Sequence, residues 1–419
     1  MNESRPVLIY AELLSRIQGV SVGCELYTPS SPDTKATISS DGWFFTIHHD
    51  GIQTSIHLPG QVVSVKQLPI QSIGKKHLSC RLPLASSLER HAFSTPGEQT
   101  VPWSATDLQP GSHITCRRCH ANIVEPGLIK VWKDLPSENW AEMMEFWHCH
   151  KPHDHGHGHE HDDDGVASKA YGANSRISAQ AGVGFVDLSS FLLSETDISV
   201  SAITKVPSSL ESRSESENRD ETHENGEPHS LHPDNISISC VSCKNQLGIL
   251  NELGAAVTLF KWQVYVDEQI SQGPDNSPNL FHWVSSILLA TIARSGCSKS
   301  ILLPMKLKDQ PVQNVSQANG TSQSLLNIWV FNNISFSSTG EGRSPMKAIK
   351  VFYRMVSQGE ADKLLDSMMS DVQDITLPAE AIEKVKDILN RNNFLLPQSD
   401  RQFKEWKVSL LEKWEGKDG

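Results

Sequence analysis

Apolar and polar positions alternate along much of the first hundred residues. Gly42-Trp43-Phe44-Phe45-Thr46-Ile47 and Ile52-Gln53-Thr54-Ser55-Ile56-His57-Leu58 are strand-like runs, with the period of two expected of a half-buried strand. His49-Asp50-Gly51 separates them, and an Asp-Gly step fits the tight turn of a hairpin. Val62 to Val65 and Leu78 to Leu82 continue the pattern. Residues 7 to 95 therefore read as an antiparallel sheet or sandwich within a domain spanning 1–110.

The pattern then changes. Residues 111–150 carry the apolar run Ile129-Lys130-Val131-Trp132, then Ser137, placed to cap a helix from about Glu138 with Met143, Met144 and Trp147 along it. Residues 151–182 are rich in His, Asp and Gly, and 194–236 in Ser, Glu and Asn. Such segments bury too little apolar surface to offset chain entropy and read as disordered linkers. Val183 to Leu193 forms an apolar island between them. Residues 237–419 regain long apolar segments: Ala256 to Val266 as a strand, Phe281 to Ser295 as a helix, Leu325 to Phe331 and Ala348 to Met355 as strands. Two helical stripes are predicted at the C-terminus, Leu377/Ile382/Val385/Ile388/Leu389 and Phe403/Trp406/Leu410/Leu411/Trp414. The fold class is α+β: a β-rich, sandwich-like N-terminal domain and a mixed α/β C-terminal domain joined by a pair of zinc knuckles, with long disordered insertions.

Those knuckles are the clearest chemistry in the chain. Ile114-Thr115-Cys116-Arg117-Arg118-Cys119 and Ile238-Ser239-Cys240-Val241-Ser242-Cys243 each lead a strand-like approach into Cys-x-x-Cys. Two such pairs supply four thiolates, the number that closes a tetrahedral structural zinc site, so Cys116, Cys119, Cys240 and Cys243 are the expected metal ligands and zinc the cofactor. The roughly 120 residues between the pairs loop out at modest cost, because closure entropy grows only logarithmically. The separation implies that the centre clamps two halves of the chain into one body.

Composition narrows the function. A net charge of −12, with no visible basic patch, argues against direct nucleic-acid binding, which needs clustered Lys and Arg at phosphates. The N-terminus lacks the basic-then-apolar pattern of a signal peptide. The most apolar stretch, Phe281 to Ala293, falls short of the roughly 20 residues that span a bilayer. An intracellular chain without a membrane partner is expected, in which paired cysteines are metal ligands rather than disulfides.

A second group of soft ligands stands at Trp147-His148-Cys149-His150. Two readings remain open. Cys149 is a buried thiol flanked by incidental histidines, or thiolate and imidazole stand exposed to ligate a zinc ion, their own or a partner's. Cys149 is also the one weak candidate for a reactive thiol, since a neighbouring protonated His lowers a thiol pKa. The tract His153 to His161 reads as a solvated tail that binds divalent ions weakly. No phosphate-binding glycine loop, nucleophile elbow or His-Glu-x-x-His is present.

Leu135-Pro136-Ser137-Glu138-Asn139-Trp140 and Phe146-Trp147-His148-Cys149-His150, set between the two knuckles, together with Leu395-Leu396-Pro397, Phe403, Trp406, Leu410 and Leu411, resemble the HECT-like family that binds ubiquitin-conjugating enzymes, in its E3D-type branch of fungal ubiquitin ligases. The resemblance implies a ubiquitin-conjugating enzyme as partner. It also implies a metallo-β-lactamase-type endonuclease of pre-mRNA 3′-end processing as a second partner, inhibited or chaperoned by insertion of Cys149, with His150 beside it, onto the nuclease zinc. Trp140, Met144 and Trp147 would anchor that segment, and cytoplasm and nucleus would be its places. Ubiquitin transfer itself stays open. A HECT ligase needs a nucleophilic thiol in its C-terminal lobe, and residues 298–419 contain no cysteine. An adaptor, a ligase using another cysteine and a non-catalytic scaffold are the alternatives.

Overall fold

In the computed structural model, residues 7–65, 67–68, 73–85, 101–135, 178–205, 235–251, 255–266, 277–307, 324–367 and 371–414 are described. The N-terminal alternation does build strands, but their partners come from the far end of the chain. Leu8–Leu14 pairs antiparallel with Gly19–Glu25 on one side and with Ser324–Ser338 on the other. The result is a discontinuous unit, Met1–Pro102 with Pro278–Met305 and Val312–Gly419, and a second unit, Trp103–Ser277 with Lys306–Pro311. The boundaries expected after 110 and 236 do not follow these units, because strand pairing and not sequence proximity decides which segments share a core.

The discontinuous unit is organised by a nine-stranded sheet. Its main path runs Gln402–Phe403, Trp406–Glu412, Glu341–Ser357, Ser324–Ser338, Leu8–Leu14, Gly19–Glu25 and His77–Pro83, and Lys299–Pro304 joins Ser324–Ser338 to Val372–Leu377. A three-stranded meander, Lys35–Ile38, Phe44–His49 and Ile52–His57, packs on the N-terminal strands. Ile9, Val22, Phe45, Ile47 and Ile56 are buried between them, as in two sheets stacked face to face. The hairpin expected at Asp50-Gly51 is present: both residues have positive φ, 48° and 77°, the pairing that matches strand twist in a two-residue turn.

The helices Leu280–Ser295 and Ala379–Asn392 form where their stripes predicted. Asn279 caps the first, its Oδ1 accepting from the N–H groups of Phe281 at 2.9 Å and His282 at 3.1 Å, and Gly296 closes it in the left-handed region. The second buries Ile382, Val385, Ile388 and Leu389; Leu377 lies instead at the end of strand Val372–Leu377. The second predicted C-terminal helix is a strand, Trp406–Glu412, hydrogen-bonded to Glu341–Ser357. Trp406, Val408 and Leu410 fall on one face and Ser409 and Leu411 on the other, and all five are buried. A period of two with both faces covered outweighed the helix-like spacing of 403, 406 and 410.

The second unit holds a seven-stranded sheet, Ile203–Lys205, Asn235–Cys240, Gln246–Asn251, Ala256–Phe260, Ser190–Ser194, Val183–Val186 and Val131–Asp134. A three-stranded sheet, Val264–Val266, Ile114–Cys116 and Asn122–Val124, accompanies it. The apolar island thus supplies two interior strands rather than standing between linkers, and Phe191 and Leu193 are fully buried there. Residues 195–197 and 203–205, placed in the second linker, form a 3-10 turn and an edge strand. The single strand predicted from Ala256 to Val266 breaks at Lys261–Gln263 and continues in the other sheet. No helix among the described residues is long and apolar enough to cross a membrane.

Candidate metal centre

Each Cys-x-x-Cys terminates one strand and opens the turn into the next. In the first, the Cys116 N–H donates to Ala121 O at 2.9 Å and the His120 N–H donates to Cys116 O at 2.9 Å. The second repeats the device: the Cys240 N–H donates to Asn245 O and the Lys244 N–H to Cys240 O, both at 2.9 Å. His120 and Lys244, each following the second cysteine of its pair, have the same left-handed φ of 59°. A non-glycine residue is seldom found there, and it folds the chain back so that both sulfurs of a pair point to one side.

The two turns meet. Cys116 Sγ lies 3.6 Å from Cys243 Sγ, Cys119 Sγ lies 3.5 Å from Cys240 Sγ, and all four sulfurs fall within 4.8 Å of one another. A disulfide would need about 2.05 Å. A tetrahedral ion with metal–sulfur bonds of about 2.3 Å sets sulfurs about 3.8 Å apart, so the cluster can hold a metal ion and is consistent with zinc. All four predicted ligands come together. The expected clamp between N- and C-terminal domains does not follow, because both turns belong to one unit. What the centre joins is that unit's two sheets, Cys116 ending Ile114–Cys116 and Cys240 ending Asn235–Cys240.

The four sulfurs differ as acids. Burial pushes the Cys116 thiol up to about 12. Burial also opposes the Cys240 thiolate, but the N–H groups of Cys243 and Ser242 and the Cys119 thiol donate to it and bring it down to about 7. A coordinated divalent cation overrides such differences and deprotonates its thiol ligands. Four protein ligands would leave no position for a substrate, so an ion held there would be structural. Neighbouring contacts hold the turns: Asn245 Nδ2 donates to Gln263 Oε1 at 2.9 Å, the His120 ring stacks on Tyr265, and the Arg117 guanidinium lies 5.0 Å from the same ring centroid.

Of the other described thiols, Cys24 and Cys80 are poor nucleophile candidates. Burial raises the Cys24 thiol far beyond the ordinary range, with Cys80 adding a smaller push, and burial raises Cys80 to about 11. Both stay protonated at neutral pH, and the thiolate is the reactive form. Cys297 Sγ sits 3.7 Å from Ser295 O and 3.8 Å from Gln373 Nε2, just past the helix end. The predicted partner-facing residues Trp140, Met144, Trp147, Cys149 and His150, and the His153 to His161 tract, lie outside the described residues.

Lys261 was not anticipated as a site residue. It is fully buried and its Nζ donates to Trp103 O at 2.9 Å, 5.2 Å from the Phe191 ring centroid. Burial lowers it to about 7, against the opposing influence of Asp187, Asp134 and Asp107. Its only sequence signal was a lone cation inside the apolar run from Ala256 to Val266.

Fold and cluster together define a strand-rich α+β protein of two units, one of them carrying four cysteines that could hold a metal ion. The chain belongs to the HECT-like ubiquitin-conjugating enzyme (E2)-binding family, whose profile matches residues 12–408. An uncharacterized protein of Schizosaccharomyces pombe is 24% identical over 333 residues, which cover 76% of this chain and 79% of that protein. An uncharacterized protein of Saccharomyces cerevisiae is 23% identical over 314 residues, covering 73% and 71%. No solved structure matches the chain.

Proposed function

We propose that this protein binds ubiquitin-conjugating enzymes as an adaptor, with zinc at Cys116, Cys119, Cys240 and Cys243 as a structural staple. The observation that carries the reading is the family match over 12–408, which spans both units. Six of the seven described thiols support an adaptor rather than a covalent relay, since four belong to the cysteine cluster and Cys24 and Cys80 are held protonated by burial, which leaves Cys297 as the described thiol that the test must watch. The test mixes the purified chain with ubiquitin-charged conjugating enzymes and follows discharge on non-reducing gels. Binding and faster discharge without a ubiquitin adduct on this chain are expected. A reducible adduct would make it a ligase, and no binding to any conjugating enzyme would end the reading.

The finer assignments rest on the resemblance of residues 135–150 to the E3D-type ligases. In that reading Cys149 and His150 enter the zinc site of the mRNA 3′-processing endonuclease, in cytoplasm and nucleus, anchored by Trp140, Met144 and Trp147. The soft-donor order Trp-His-Cys-His supports it. Cys149→Ala should abolish co-purification of that nuclease and relieve its inhibition; a variant that still binds and inhibits rules the insertion out.

A further inference from the structure

Proline cannot donate to a strand ladder, so inside a sheet it is confined to edges and bulges. Pro345 lies within strand Glu341–Ser357, and the strand yields around it. Phe336 pairs with Met346 and Ser338 with Gly342, so three residues, Arg343, Ser344 and Pro345, stand opposite the single residue Ser337. That arrangement is an extended β-bulge, which interrupts the pairing and re-aims the chain. Ser344 and Pro345 are both exposed there.

The frame on either side of the bulge is fixed. At the hairpin tip the Thr339 N–H donates to Ile9 O at 3.0 Å and the Thr339 hydroxyl to Val7 O at 3.1 Å. Past the bulge the Lys413 N–H donates to Lys347 O at 3.0 Å. The neighbouring strand Trp406–Glu412 pairs with Ala348 to Tyr353. Between Gly342 and Met346 the outer edge of Glu341–Ser357 therefore has no strand partner among the described residues. The Ser344 hydroxyl makes no hydrogen bond among the described residues. A well-anchored hairpin thus presents an unengaged hydroxyl on an approachable strand edge.

The sequence singles out the same residue. Five Ser/Thr-Pro steps occur in the chain, at Thr28, Ser31, Thr95, Ser277 and Ser344. A residue that precedes proline is held extended, the form in which a kinase that reads the proline ring takes its substrate. A cation three residues past the hydroxyl adds an electrostatic contact with an acidic pocket. Only Ser344 has one, Lys347; the residues at that spacing from the others are Ser31, Thr34, Glu98 and Leu280. The fold separates them further. The Thr28 hydroxyl is hydrogen-bonded to Asp50 and His49. The Ser31 hydroxyl accepts from the Asp33 N–H at 3.2 Å. Ser277 is only 5% exposed, and Thr95 lies outside the described residues.

We infer that Ser344 is a phosphorylation site for a proline-directed protein kinase. In the transfer the Ser344 hydroxyl oxygen bonds to the γ-phosphorus of ATP, and the bond from that phosphorus to the β–γ bridging oxygen breaks. ADP leaves, and the hydroxyl proton passes to the catalytic carboxylate of the kinase. The product adds about 1.5 to 2 negative charges at neutral pH. They arise where no hydrogen bond of the fold is displaced, so phosphorylation rewrites the surface charge of the hairpin and leaves its pairing intact. The inference is independent of the adaptor reading, since it involves no ubiquitin-conjugating enzyme.

The test incubates the full chain with a purified cyclin-dependent kinase and ATP, and reads stoichiometry and position by mass spectrometry. About one phosphate per chain, on Ser344, is expected. Ser344→Ala and Pro345→Ala should each lower incorporation at least about tenfold, and Lys347→Gln should slow it about threefold. The Ser344→Ala chain and the phosphorylated wild-type chain should keep the wild-type thermal midpoint within about 2 °C, because the side chain is exposed and unengaged. Three results would overturn the inference: no incorporation, incorporation that persists in Ser344→Ala, or a midpoint lowered by more than about 4 °C on phosphorylation.

Discussion

At the scale of single residues, Cys116 and Lys261 are buried for opposite reasons. Cys116 needs a cation and Lys261 is one. Replacing Cys116 or Cys240 by Ser should cut zinc content from about one ion per chain to near zero. Because metal binding and folding are coupled at such centres, the change should also cost the second unit its cooperative unfolding transition, read by calorimetry with metal analysis. Retention of both would remove the structural role. Lys261 titrates near its ordinary value in the unfolded chain and at about 7 in the folded one. Between those values the unfolded state holds the extra proton, so this residue's contribution makes stability rise with pH from about 7 to about 10 and leaves a constant penalty below. In Lys261→Met that slope should flatten, as measured by urea denaturation across the range, even if losing the hydrogen bond to Trp103 O costs about 1–3 kcal/mol.

Elements show which features of the chain could be read directly. The Asp50-Gly51 hairpin and the helix capped by Asn279 were legible because turn and cap chemistry is local. The strand Trp406–Glu412 was not, because its rings also fit a helical stripe, and what decides between the two is a partner strand about 60 residues upstream. The metal ligands were legible as two Cys-x-x-Cys pairs, each on a strand approach. The left-handed residues His120 and Lys244, which aim those pairs, carry no distinctive residue type. The hairpin leaving the second knuckle yields a prediction at this scale. A Cβ on Gly248 would stand 1.9 Å from Thr258 O in the neighbouring strand. Gly248→Ala should therefore push those strands apart and destabilise the unit by about 2–4 kcal/mol, measured by denaturant unfolding, with weaker retention of zinc. A change under about 0.5 kcal/mol would mean the sheet yields at no cost.

For the molecule as a whole, the discontinuous unit makes truncations asymmetric. Residues 103–277 hold all four ligands of the metal centre and should yield a soluble, zinc-containing fragment. A chain ending at 305 keeps Leu8–Leu14 but loses its neighbour Ser324–Ser338, leaving an unpaired apolar strand edge that should drive aggregation. Size-exclusion chromatography of both fragments checks this; a monomeric, cooperatively unfolding 1–305 would contradict it. The same pairing sets a timetable for synthesis. Leu8–Leu14 leaves the ribosome about 300 residues ahead of the strand it must join, a wait of about 15–60 s at 5–20 residues per second. The segments of the cysteine-bearing unit emerge within that interval, so Ser324–Ser338 reaches its early partner only after the whole of that unit's main segment has been made.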